Sequence, residues 1–73
     1  MNEQQTFYLR IGDKIKELRE LKNLSQQDLA ALCNFEKSNM SRIEAGRTNL
    51  TIKTLFKISN ALKVPLKDLV SID

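Results

Sequence analysis

The sequence has no histidine, a single cysteine and only two glycines among its 73 residues. One cysteine permits no internal disulfide, and without histidine or a second cysteine the usual ligands of a zinc site are missing. Two glycines also cannot make a glycine-rich phosphate loop. These absences predict that the protein holds no metal and no cofactor. They also argue against an enzyme, because so short a chain has little mass to enclose a pocket, and no small-molecule site is evident.

Long apolar runs are missing too. No segment approaches the roughly 20 apolar residues that a membrane-spanning helix needs. The first ten residues, MNEQQTFYLR, contain no apolar signal-peptide core. The sequence therefore predicts a cytoplasmic protein that makes no membrane contact.

What remains is the composition of a small folded domain, with 41% hydrophobic and 29% charged residues. A chain of this length has room for one domain, residues 1–73, which buries about 60% of its unfolded surface. The net charge of +3 is modest, but its distribution is uneven. Between residues 37 and 53, Glu44 is the single acid and the cations are Lys37, Arg42, Arg47 and Lys53. This local basic excess favours a nucleic acid as the partner.

Apolar residues at helical spacing predict an all-α fold with five helices, at about 7–22, 25–33, 36–45, 52–62 and 66–71. Residues 1–6 are polar and are expected to be disordered. The apolar stripes of the second and fourth helices are assigned to Leu29, Ala30, Leu32 and Cys33, and to Ile52, Leu55, Phe56, Ile58 and Leu62.

The segment 25–46 organises this arrangement. Ser25 and Asp28 have the spacing of a helix N-cap and its acidic partner. Asn34 tolerates the left-handed backbone that ends a helix and turns the chain, and Gly46 suits the end of the next helix. Two short helices joined by a tight turn form a helix-turn-helix, which places its second helix in the DNA major groove.

The outer face of the third helix is polar and partly basic, and it lacks a large apolar residue. Protein interfaces usually contain aromatic or aliphatic anchors, whereas hydroxyl, amide and cationic groups bind base edges and phosphates. The face comprises Lys37, Ser38, Asn39, Ser41 and Arg42.

The segment 25–46 resembles the Xre/Cro/phage-repressor family of helix-turn-helix regulators. The match continues over roughly residues 9–70, and the departures from the family pattern are Asn34, Met40 and Leu50. The resemblance implies a compact five-helix, lambda-repressor-like DNA-binding domain with the helix-turn-helix at helices 2 and 3. Compact members include phage repressors and restriction-modification controller proteins. The matching positions are Gln26, Leu29, Ala30, Ser41, Arg42, Ile43, Glu44 and Gly46.

The resemblance also implies a structural ion pair between Arg19 and Glu44, although an arginine here could instead contact a phosphate. Helix geometry and the family likeness both predict base readers on the outer face of the third helix, at Lys37, Ser38, Ser41 and Arg42. Lys37 and Arg42 could also contact phosphates, and Glu36 could cap the helix or accept a hydrogen bond from cytosine. Phosphate contacts are predicted at Gln26, Asn39, Arg47, Thr48, Asn49 and Lys53.

A single copy would cover too few base pairs for useful specificity. The sequence therefore predicts a homodimer that binds double-stranded DNA at a palindromic operator and regulates transcription as a repressor. The alternative is an antitoxin-like or adaptor-like module that uses the same fold to bind a protein. An apparent surplus of apolar residues places the dimer interface at Phe56, Leu62, Val64, Leu66, Leu69 and Ile72.

Overall fold

The computed structural model describes residues 2–71, and within that range it contains five α-helices and no strand. The all-α, five-helix prediction is confirmed. None of the described helices is long and apolar enough to cross a membrane. The helices are α1 (Glu3–Leu21), α2 (Gln26–Cys33), α3 (Lys37–Glu44), α4 (Ile52–Leu62) and α5 (Lys67–Val70).

The start of α1 differs from the prediction. The helix begins at Glu3 and not near residue 7, so the expected disorder is wrong for residues 3–6, and Met1 lies outside the described residues. A capping box explains the earlier start. The Asn2 side chain accepts a hydrogen bond from the Gln5 amide at 2.8 Å, and the Gln5 side chain accepts one from the Asn2 amide at 3.2 Å.

The first four helices end in the same way. A residue with positive φ follows each helix, and the amide after that residue bonds to the carbonyl five positions earlier, as in Phe35 to Ala30 at 2.8 Å. The prediction placed Asn34 and Gly46 at two of these positions. The positive φ of Lys63 was not predicted, because lysine rarely adopts it. The four residues are Asn23 (58°), Asn34 (60°), Gly46 (71°) and Lys63 (60°).

One hydrophobic core joins all five helices. Cys33 belongs to it, and burial raises the pKa of its thiol. Three residues assigned to apolar stripes lie outside the core, among them Phe56 of α4, which is 52% exposed. Leu32 is 61% exposed, since α2 turns Leu29 and Cys33 inward instead, and Ile52 is 64% exposed in the first turn of α4. The buried hydrophobic residues are Ile11, Ile15, Leu29, Ala30, Cys33, Met40, Ile43, Leu55, Ile58, Leu62 and Leu69.

The predicted dimer interface is partly wrong. Leu62 and Leu69 are fully buried in the core of one copy, so they offer no surface to a second copy. Val64 and Leu66 are half-buried against the core, and Phe56 is 52% exposed. Ile72 lies outside the described residues. Fewer apolar residues are therefore left for a dimer interface than the sequence indicated, because more of those in α4 and α5 are buried in the core.

Helices α1 and α3 approach each other closely at Gly12, which is buried. A Cβ atom at this position would clash with the backbone carbonyl of Glu44 and lie 2.8 Å from that of Ile43. Only glycine allows this contact without a shift of one helix. Gly12 therefore helps to set where α3 lies on the surface.

Candidate nucleic-acid interface

The turn between α2 and α3 sets the direction of α3. At its start, α2 has the predicted cap, in which the Ser25 hydroxyl accepts from the Asp28 amide and the Asp28 carboxylate accepts from the Ser25 amide, both at 3.0 Å. The hydrogen bond that the Ser25 backbone amide donates to the Asp28 carboxylate is the main cause that lowers the pKa of Asp28, and the Ser25 side chain contributes further. At its end, Asn34 adopts the left-handed conformation and Phe35 packs against the core. The chain therefore turns within three residues before α3 begins.

Helix α3 separates its residues cleanly into two faces. Met40, Ile43 and Glu44 are buried. The residues predicted to read bases are all exposed on the opposite face: Lys37, Ser38, Ser41 and Arg42. Such a surface of hydroxyl groups and cations is suited to hydrogen bonding in a DNA groove.

Glu36 is the N-cap residue of α3, but its side chain makes no capping hydrogen bond. Glu36 thus occupies the capping position that was one of its two interpretations, without a hydrogen bond from its side chain. Its carboxylate is exposed beside Lys37 at the start of the helix. The other interpretation, contact with a cytosine amino group, stays a prediction.

Three side chains from three helices meet behind the exposed face of α3. Arg19 of α1 donates to Glu44 of α3 through Nε at 2.7 Å and through a terminal nitrogen at 3.2 Å. The hydrogen bond to Glu44 raises the pKa of Arg19 above its ordinary value. A further Arg19 nitrogen donates to the Leu24 carbonyl at 2.6 Å. The two residues that the resemblance pairs are thus in contact, and both are almost completely buried.

The third member of this network is Gln26, whose Nε2 donates to Glu44 at 3.0 Å. The sequence predicted a phosphate contact for Gln26 but not its contact with Glu44, because the two residues lie 18 positions apart. Gln26 therefore connects the first turn of α2 to α3. The phosphate contact of Gln26 stays a prediction.

The other predicted phosphate contacts surround α3. Asn39 is exposed on α3 itself, and Lys53 is exposed in the first turn of α4. Between these helices, the Arg47 amide bonds to the Arg42 carbonyl at 2.9 Å, which fixes the backbone directly after α3. The remaining two residues of this set, Thr48 and Asn49, follow Arg47 in the same loop.

Comparison with known proteins adds independent observations. The profile of the helix-turn-helix family HTH_3 matches residues 15–69. Control protein C.MunI from Mycoplasma sp is 39% identical over 64 residues, which are 86% of each chain. Control protein C.BamHI from Bacillus amyloliquefaciens is 40% identical over 63 residues, 85% of this chain and 78% of that protein.

A solved structure extends the likeness to three dimensions. The restriction-modification controller protein C.AhdI from Aeromonas hydrophila superposes with a TM-score of 0.83 at 31% sequence identity. The match covers 85% of this chain and 94% of C.AhdI.

Proposed function

This chain belongs to the HTH_3 helix-turn-helix family, a family of DNA-binding transcriptional regulators, and we propose that it represses transcription as a homodimer bound to a palindromic operator. The observation that carries the proposal is the exposed polar face of α3, with its cations, on a helix fixed from behind by Arg19 and Glu44. A helix held in this way can enter the major groove without reorganising.

We assign two roles within the interface. Base edges are read by four residues that are exposed on the outer face of α3: Lys37, Ser38, Ser41 and Arg42. The residues around the helix hold phosphates and set its depth in the groove. These positioning residues are Gln26, Asn39, Arg47, Thr48, Asn49 and Lys53.

Size supports the dimer. One copy measures 31 × 23 × 21 Å, close to the roughly 34 Å of one turn of B-DNA. Two copies side by side can therefore place their α3 helices one turn apart on the same face of the duplex. The accessible apolar surface that could join them comprises Phe56, the half-buried Val64 and Leu66, and the exposed Ile52.

Likeness to three named control or controller proteins favours control of a restriction-modification system, with the cytoplasm as the place of action. The alternative, a protein-interaction module, lacks support on α3. Its exposed face carries no aromatic or large aliphatic side chain of the kind that anchors a protein interface.

Selection of bound sequences from a random duplex library at roughly physiological salt tests the proposal. We expect recovery of an inverted repeat whose half-site centres are about one helical turn apart. Binding to that repeat should weaken steeply with added salt, because counterions are released from the contacted phosphates. If no sequence is enriched by protein that circular dichroism shows to be helical, operator binding is excluded.

A further inference from the structure

A polar groove lies beside the recognition helix, between the first two turns of α1 and the loop that follows α3. Its volume is about 310 Å³. The groove exists because α1 begins at Glu3, so its first turns extend past the end of α3. Its lining residues are Asn2, Gln4, Gln5, Tyr8, Gly46, Arg47, Thr48 and Asn49.

Both walls of the groove are fixed. On the loop side, Gly46 lies so close to α1 that an added Cβ would be 2.8 Å from the Leu9 Cα atom. The hydrogen bond from the Arg47 amide to Arg42 holds the next residue. On the α1 side, the capping box of Asn2 and Gln5 holds the first turn. The groove is therefore a defined feature of the fold.

The chemistry of the groove suits an anion. Arg47 supplies a positive charge, and no carboxylate is among the described residues that line it. Tyr8 accepts a hydrogen bond from Gln4 Nε2 at 3.0 Å, so its hydroxyl retains a proton to donate. The other lining residues add neutral donors, because their side-chain amide and hydroxyl groups are of the kinds that commonly bond to DNA phosphates.

We propose that this groove binds a backbone phosphate of the DNA that flanks the operator half-site, with Tyr8 as a phosphate donor on α1. The inference rests on the proposed function, since α3 must enter the major groove for Arg47 to meet the adjacent backbone. Arg47 provides the charge, and the Tyr8 hydroxyl provides a directed hydrogen bond whose acceptor side is satisfied by Gln4. The first two turns of α1 thereby extend the footprint beyond the helix-turn-helix.

The test compares the unaltered protein with Tyr8→Phe on the selected operator by fluorescence anisotropy. Phenylalanine retains the ring beside Phe7 and removes only the hydroxyl. We expect about fivefold weaker binding, the fold-change of one lost hydrogen bond. Asn60→Ala, which removes an exposed polar side chain from α4 outside the groove, is the matched control and should bind normally.

The same measurement is repeated on duplexes in which one flanking phosphate at a time is replaced by an uncharged methylphosphonate. At one position, we expect the unaltered protein to lose affinity and Tyr8→Phe to lose no more than it already has. An equal affinity of the two proteins on the native operator would overturn the proposal. It is also overturned if the deficit of Tyr8→Phe persists at every replaced position. Failure of the unaltered protein to select any operator would instead refute the proposed function.

Discussion

The two halves of the molecule are held together by different means. Around α1, α2 and α3, a buried ion pair, a glutamine and two capping boxes fix how the helices are oriented. Around α4 and α5, burial of Leu55, Ile58, Leu62 and Leu69 dominates. Thr51 caps α4, whereas the four-residue α5 has no side-chain cap. Polar contacts are thus concentrated where a helix must be presented at a fixed angle.

Directional contacts and burial contribute differently to a fold. Apolar contacts stabilise many nearby arrangements, because the hydrophobic effect has little directionality. A buried ion pair adds little net stability over apolar residues of equal size, but it strongly penalises arrangements in which one charge lacks its partner. We therefore expect disruption of the polar contacts in the first half to alter both stability and DNA binding, and changes to the buried apolar residues of the second half to alter mainly stability.

Glu44→Gln is expected to have the largest effect on the free energy of unfolding. The Glu44 side chain is 3% exposed and receives hydrogen bonds from Arg19 and Gln26. Loss of its charge leaves the buried guanidinium unpaired, at a cost of about 3 to 5 kcal/mol in the free energy of unfolding. Urea denaturation measures this loss.

A double variant separates charge from packing. Arg19→Met combined with Glu44→Leu replaces the pair by apolar side chains, and we expect it to recover most of the stability. Its DNA affinity should stay low, since Gln26 has no partner that orients it. Recovery of full affinity by the double variant would show that burial alone orients α3, and the contrast between the two halves would fail.

Gly12→Ala tests the close approach of α1 to the backbone of α3, which is also in the first half. In an exposed helix this change would stabilise by about 1 kcal/mol. Here the new methyl group meets the Ile43 and Glu44 carbonyls, so we expect a net destabilisation of about 1 to 3 kcal/mol. Thermal unfolding measures it, with Asp13→Ala at the exposed neighbouring position as the control. A more stable Gly12→Ala protein would mean that α1 and α3 can separate without cost.

These contacts mark the limit of what the sequence could predict. The cap of α2 and the left-handed backbone of Asn34 were predicted correctly, because each depends on residues only a few positions apart in the sequence. The capping box that starts α1 was missed, since its Asn2 and Gln5 lie in a polar segment without an apolar stripe. The role of Gly12 depends on the backbone of α3, more than 30 positions away. No spacing rule identifies such a contact.

In the second half, α4 and α5, the sequence assigned several apolar residues to the wrong surroundings. Helical spacing identified the apolar residues of α4 and α5, but it did not indicate which of them are buried in the core. Leu62 and Leu69 were assigned to a second copy and are fully buried in the first, whereas Ile52 was assigned to the core and is exposed. Burial depends on which elements pack over each turn. The assignments within the DNA interface remain predictions of the sequence and the fold together.

Arg42→Ala and Arg47→Ala divide the interface into its two proposed roles. Both side chains are exposed, so neither change should unfold the protein. We expect Arg42→Ala to cost about 1 to 3 kcal/mol of binding and to relax the preference at one base pair. Arg47→Ala should weaken binding to all sequences alike and lower the salt slope by about one unit. Binding titrations on specific and unrelated duplexes at several salt concentrations measure both. Identical behaviour of the two variants would contradict the division.

The smallest expected effect lies in the second half, at Lys63. Its φ of 60° places a β-carbon in the left-handed region, which costs roughly 1 to 2 kcal/mol for a residue with a Cβ. Glycine removes that strain, but it adds conformational entropy to the unfolded chain. We therefore expect Lys63→Gly to stabilise the protein by about 0.5 to 1 kcal/mol in urea denaturation, without a change in DNA affinity. Lys63→Ala is the matched control, because it removes the same charge and keeps the strained Cβ.

The corresponding change in the first half is Asn34→Gly, at a backbone with the same φ of 60°. Asparagine tolerates the left-handed region better than lysine does, so its replacement should gain less than Lys63→Gly gains. A larger gain at Lys63 would indicate that the turn before the recognition helix is already well matched to its backbone, while the end of α4 is not. Equal gains would remove this distinction between the halves, and a loss at Lys63 would show that its side chain makes a stabilising contact that outweighs the strain.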